Sequence, residues 1–138
     1  MRALVVDDDL IGRLLLTKMV ARYGHVDVAV DGAEAVQAFI MALDAREPYD
    51  VIFLDIVMPV LDGHGALARI RATEESRGIF GHSQVTVIMI TALDDSRNVI
   101  GSFREGAEGY IVKPVSPEAV TSQLRQCGLL GPADGETA

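Results

Sequence analysis

Four short apolar runs in this 138-residue chain each end on a side chain that can bind charge or a polar group. Residues 3–6 lead into Asp7, Asp8 and Asp9, residues 51–54 into Asp55, residues 85–90 into Thr91, and residues 109–112 into Lys113. Singly, each has an ordinary explanation. Asp9 or a neighbour can cap a helix, Asp55 can be a loop acid, Thr91 a turn residue and Lys113 a solvated charge. Together they form a chemical set, provided the fold brings them to one place. Crowded carboxylates repel and raise one another's pKa unless a cation neutralises them. A hard divalent ion does so, and Mg2+ needs only one or two carboxylates plus water and a phosphate. Thr91 adds a hydrogen bond and Lys113 a point charge, so the set suits a phosphoryl group. Phosphoryl transfer is mostly positioning and charge stabilisation, which a set this small can supply.

The runs that carry these residues read as strands: they are short, rich in β-branched residues and closed by turn signals such as Pro59 and Asp62-Gly63. A fifth strand is expected at 26–30. Its larger apolar residues alternate, which suits a half-exposed edge. Helical spacing fills the gaps. The first helix carries Ile11, Leu14, Leu15 and Met19 as its apolar face, with Asp9 as N-cap and Gly24 as stop. The second follows Asp31-Gly32, carries Val36, Phe39, Ile40 and Leu43, and ends before Pro48. The third runs from about 63 to 73 through Ala66, Leu67 and Ile70. Residues 74–84, with Gly78 and Gly81, read as a long surface loop or a frayed helix end. A fourth helix is capped by Asp94 or Asp95, carries Val99, Ile100 and Phe103, and is weakened by about 1 kcal/mol at Gly101. The last opens at Ser116 or Pro117, places Val120, Leu124 and Cys127 on one face, and stops at Gly128.

Five strands alternating with five helices predict a doubly wound α/β fold, a parallel sheet with helices on both faces. The strand order expected is 2-1-3-4-5, with the half-polar second strand outermost. In such a sheet every carboxyl end lies on one rim, where ligands bind. Asp7, Asp8, Asp55, Thr91 and Lys113 therefore converge by topology.

Composition narrows the function. With 12 basic and 20 acidic residues the net charge is -8, and no Lys/Arg cluster stands out. Direct binding to nucleic acid or to an anionic membrane is not expected. No apolar stretch is long enough to insert into a bilayer, and the apolar start is cut short by three aspartates. The single Cys127 excludes an intramolecular disulfide and a cysteine-based zinc site. A cytoplasmic location is expected. One domain is expected over residues 1–128, with 129–138 a disordered tail.

The motifs and their order resemble the receiver domains of two-component response regulators, along the chain up to about residue 127. The matching stretches are Val5-Val6-Asp7-Asp8, Leu54-Asp55 with Met58-Pro59 and Leu61-Asp62-Gly63, Ile90-Thr91-Ala92, Gly106-Ala107, and Tyr110-Ile111-Val112-Lys113-Pro114. The resemblance implies a flavodoxin-like (βα)5 three-layer sandwich, a switch protein rather than an enzyme with turnover. It implies Asp55 as phosphoacceptor, taking the group from a phosphohistidine on a sensor histidine kinase or histidine phosphotransfer protein. It implies Mg2+, with Mn2+ as an alternative, held by Asp7, Asp8, Asp55 and the Val57 backbone carbonyl. Thr91, the Ala92 N–H and Lys113 would bind the phosphoryl oxygens, and Thr91 with Tyr110 would form the switch. The switch would change the surface of the fourth helix, fifth strand and fifth helix, controlling an unidentified downstream protein or a phosphorylation-linked dimer. A cis Lys113-Pro114 bond is also implied.

Some positions depart from the family pattern. Val115 stands where Phe is common, and residues 74–84 are longer than in a minimal receiver. Val57 and Leu93 are both apolar at positions that influence access of the hydrolytic water, so slow autodephosphorylation is expected. Two other readings compete. A haloacid-dehalogenase-type phosphatase would use Asp7 as nucleophile, but Ile11 stands where that family wants Thr or Val, and Asp55 and Met58-Pro59 go unexplained. A phosphorylation-independent binding module on the same fold would commonly lose one of the acidic pair, the Thr or the Lys, and this chain keeps them all.

Overall fold

The computed structural model describes residues 1–92 and 106–131. Strands β1 (Arg2–Val6), β2 (His25–Ala29), β3 (Val51–Asp55), β4 (Thr86–Thr91) and β5 (Gly109–Val112) form one parallel sheet in the order β2-β1-β3-β4-β5. The described helices are α1 (Leu10–Ala21), α2 (Gly32–Asp44), α3 (Gly63–Ser76) and α4 (Pro117–Gln126). The expected fourth helix, with Asp94, Asp95, Val99, Ile100, Gly101 and Phe103, lies outside the described residues, as does Leu93. None of the described helices is long and apolar enough to cross a membrane.

The two-residue period of the strands sorts their side chains into two cores. Leu4, Val6, Ile52, Leu54, Val87 and Met89 meet Phe39 of α2 and Leu67 and Ile70 of α3 on one face. Ala3, Val5, Val51, Phe53, Ile88, Ile90 and Ile111 meet Leu16 and Val20 of α1 and Val120 and Leu124 of α4 on the other. All five residues of β3 are buried, as befits a central strand covered on both faces. Edge strand β2 leaves Val28 48% exposed.

Helix starts follow their caps. Asp9, Asp31, Asp62 and Ser116 each accept a hydrogen bond from the backbone N–H three residues on. Gly128, at φ +78°, closes the turn after α4. Cys127 is the C-cap of that helix and packs, half-buried, against the same core as Val120 and Leu124. Leu129 and Leu130 pack, partly buried, against the core.

Two expectations are corrected. Helix α1 buries Leu16 and Val20, whereas Ile11, Leu14 and Leu15, assigned to its apolar face, are 62%, 54% and 53% exposed. The helix is apolar most of the way round, so helical spacing fits more than one face. The crossover onto the sheet selects the buried one. Helix α3 runs on to Ser76, the helix-end alternative for residues 74–76, but Glu74 is buried there rather than exposed on a surface loop or frayed end. Its carboxylate accepts 2.7 Å bonds from Arg71 Nη1 and the Val85 N–H, so tertiary partners meet the cost of burying it. Between α3 and β4 the regular piece is a 3-10 turn, Gly81–Ser83.

Candidate functional site at the carboxyl rim

Sheet register assembles the site. Asp55 ends β3 opposite Ile90, so Thr91 stands one residue further along β4. Thr91 is in turn paired with Val112, whose successor is Lys113. Two rim bonds fix this stagger: Ile56 N–H donates to Ile90 O at 3.0 Å, and Lys113 N–H donates to Thr91 O at 2.8 Å. From β1, Asp7 N–H donates to Ala29 O at 3.2 Å, holding the strand end against β2. The loop after Asp55 is closed by Gly63, whose N–H donates to Ile56 O at 2.8 Å. A Cβ on Gly63 would run into the Asp55 backbone carbonyl, so this close return needs glycine.

Asp7, Asp55 and Thr91 are 4%, 3% and 3% exposed, whereas Asp8 is open to solvent. Asp7, Asp8 and Asp55 each offer a carboxylate oxygen, and the three lie within 4.8 Å of one another. Lys113 Nζ donates to Asp55 Oδ2 at 2.9 Å, and Val57 N–H donates to Oδ1 at 3.3 Å. Thr91 Oγ1 makes a long 3.4 Å contact to Ala92 O, and Ala92 itself is exposed. Tyr110 alternates with the buried Gly109 and Ile111 and is 39% exposed. The Lys113-Pro114 bond is cis.

The electrostatics match this crowding. Burial pushes the Asp55 carboxyl above the ordinary carboxylate value. The Lys113 bond offsets part of that, and the Asp7 charge adds to it. Burial works against the charged form of Lys113, but its bond to Asp55 and the charges of Asp55, Asp7 and Asp8 outweigh it and raise its pKa. Three carboxyl groups facing one ammonium are a donor set short of positive charge, and a hard oxygen-seeking dication fits it.

Two features escaped the sequence. Arg13 Nη1 donates to the Asp7 backbone carbonyl at 3.0 Å, tying α1 to the acidic strand end. Large apolar residues also stand exposed on two elements that leave the rim: Leu10, Ile11, Leu14 and Leu15 on α1, and Val57 and Val60 in the loop after β3. Val60 is 82% exposed and holds φ +69°, an uncommon place for a β-branched residue. An unusually apolar first helix was the available signal for the α1 part.

The model of the response regulator receiver domain family matches residues 3–125. A probable transcriptional regulator, ycf27, of Guillardia theta is 37% identical over 125 residues. The match covers 90% of this chain but only 44% of that protein, so the chain spans less than half of its relative. Among solved structures, the complex of the Saccharomyces cerevisiae histidine phosphotransfer signaling protein Ypd1 with the receiver domain of its downstream response regulator Ssk1 matches with TM-score 0.79 and 25% identity. It covers 97% of this chain and 94% of that one. The CheX-CheY-BeF3-Mg+2 complex of Borrelia burgdorferi matches with TM-score 0.77 and 30% identity, covering 94% and 90%.

Proposed function

The chain belongs to the response regulator receiver domain family of two-component signalling, and from that premise we propose that Asp55 is its phosphoacceptor. The carrying observation is the buried Asp55 carboxylate, 2.9 Å from Lys113 Nζ and grouped with Asp7 and Asp8 at the mouth of the sheet. The donor is a phosphohistidine on a sensor histidine kinase or histidine phosphotransfer protein. An Asp55 carboxylate oxygen attacks phosphorus as the P–N bond breaks. The bond pair stays on the imidazole nitrogen, and the ring leaves neutral because its other nitrogen carries a proton. Asp7, Asp8, Asp55 and the Val57 carbonyl would hold Mg2+, or Mn2+, whose charge offsets the repulsion among carboxylates and phosphoryl oxygens. Lys113 shifts its hydrogen bond from the carboxylate to the incoming oxygens, and Thr91 with the Ala92 N–H binds the others. Transfer on and hydrolysis off are both catalysed by these residues themselves, without turnover of an external substrate.

Occupation of the site draws Thr91 toward the phosphoryl group and lets Tyr110 turn inward, biasing a two-state surface around β5 and α4. That surface controls a downstream protein or a phosphorylation-linked dimer. The exposed face of α1, beginning at the same rim, receives the donor. Exposed apolar side chains gathered on one helix commonly mark a protein contact. A phosphatase that turns over small esters is not favoured, because the Lys113 ammonium pairs with the buried Asp55 carboxylate rather than with Asp7.

A donor carrying labelled phosphohistidine tests this directly. Label should pass to the wild type and fail to pass to Asp55→Asn. Leu14→Glu should slow that transfer at least tenfold while labelling by acetyl phosphate stays unchanged. Equal transfer to wild type and Asp55→Asn would sink the assignment.

A further inference from the structure

Three consecutive aspartates, Asp7, Asp8 and Asp9, precede α1, and Arg13 lies early in that helix. Charge alone would lead its guanidinium to one of these carboxylates. Its Nη1 donates instead to the Asp7 backbone carbonyl at 3.0 Å, and it forms no ion pair among the described residues. The carboxylates have other partners or none. Asp7 Oδ1 accepts from the Asp9 N–H at 2.9 Å, and Asp9 Oδ2 from the Gly12 N–H at 2.8 Å. The Asp8 side chain is exposed and has no hydrogen bond or ion pair among the described residues.

The carbonyl that Arg13 holds belongs to the peptide joining Asp7 to Asp8. That unit is planar, so fixing its oxygen also fixes the N–H and Cα of Asp8. Its Asp7 side is pinned by the strand, where Asp7 N–H donates to Ala29 O at 3.2 Å. The helix end of the tie is firm too, since Arg13 N–H donates to Asp9 O at 2.9 Å. Asp7 is buried, so its carbonyl needs a partner, and a charged donor makes the stronger bond. We propose that Arg13 is a positioning residue for the cation site: its guanidinium fixes the peptide between Asp7 and Asp8, and so sets where both carboxylates stand beside Asp55. The proposal rests on the reading of those three acids as metal ligands.

The guanidinium acts on a bound dication in two opposed ways. As a positive charge it repels the ion, and as a clamp it holds the ligands in place. The sign of the change on removing it tells which prevails. Calorimetric titration of the 138-residue chain with Mg2+, paired with thermal melting in metal-free buffer, reads this for three variants. Arg13→Met keeps the length of the side chain but not the donor, and should weaken Mg2+ binding about tenfold, the lower end of the scale for groups that orient a metal ligand. Arg13→Lys still offers a charged donor and should bind Mg2+ more tightly than Arg13→Met. Val20→Ala, buried at the far end of α1, should lower Tm and leave the affinity unchanged. Unchanged or tighter binding in Arg13→Met overturns the proposal and leaves the metal site standing, as does binding in Arg13→Lys no tighter than in Arg13→Met. Equal weakening in Val20→Ala also overturns it, because a loosened helix alone would then account for the loss. A wild type that binds no Mg2+ overturns the metal-site reading and the proposal with it.

Discussion

Asp55 is a carboxylate kept where its charge is penalised. Burial and Asp7 raise its pKa above the ordinary value, against the pull of Lys113. A group whose pKa is higher folded than unfolded costs no stability at low pH, where both states are protonated. The cost grows as pH rises from the ordinary carboxylate value through the folded one, and is complete above it. Asp55→Asn in metal-free buffer should therefore be more stable than wild type at pH 7. The advantage should vanish below about pH 4. Urea unfolding at both pH values checks this, and an equal or lower stability of Asp55→Asn at pH 7 would contradict it. The chemical identities of Asp7, Asp8, Asp55, Thr91 and Lys113 were legible in the sequence because each closes an apolar run. Arg13 was not. Its part depends on where the Asp7 carbonyl lies, which no spacing rule encodes.

The strands were the most legible elements, since a buried parallel strand is an uninterrupted apolar run with a sharp end. Helix faces were harder. In α1 the residues Leu10, Ile11, Leu14, Leu15, Leu16, Met19 and Val20 offer more apolar surface than the sheet can cover, and only packing shows which part stays outside. Glu74 was misread for the opposite reason: a charged residue signals solvent until its partner is known. That partner is Arg71, which reaches across the rim opposite to Asp55. It donates to Glu74 Oε1 at 2.7 Å, Val85 O at 2.9 Å, Gly106 O at 2.8 Å and Glu108 Oε1 at 2.7 Å. Glu108 in turn accepts from the Val87 N–H at 2.7 Å. The clamp locks α3 to the starts of β4 and β5, the two strands that deliver Thr91 and Lys113. Arg71→Ala would leave the buried Glu74 carboxylate without its cation, held only by the Val85 N–H and Gln84, which should cost about 3–5 kcal/mol. Chemical unfolding measures it, and a loss below about 1 kcal/mol would show that the clamp is not a structural joint.

At the scale of the whole molecule, the fold turns distant sequence into one site. Right-handed crossovers send every strand the same way, so residues 7, 8, 55, 91 and 113 share a rim while two apolar cores fix the sheet from both sides. The order β2-β1-β3-β4-β5 was legible because the half-polar second strand could only lie at an edge. The central claim is that this rim takes one phosphoryl group on Asp55 and needs a divalent cation to do so. Intact mass after incubation with acetyl phosphate measures it most directly, with and without Mg2+, for wild type and Asp55→Asn. The account predicts one added phosphoryl group on the wild type with Mg2+, none without Mg2+, and none on Asp55→Asn. The same adduct on Asp55→Asn, or on wild type stripped of divalent cations, would contradict it.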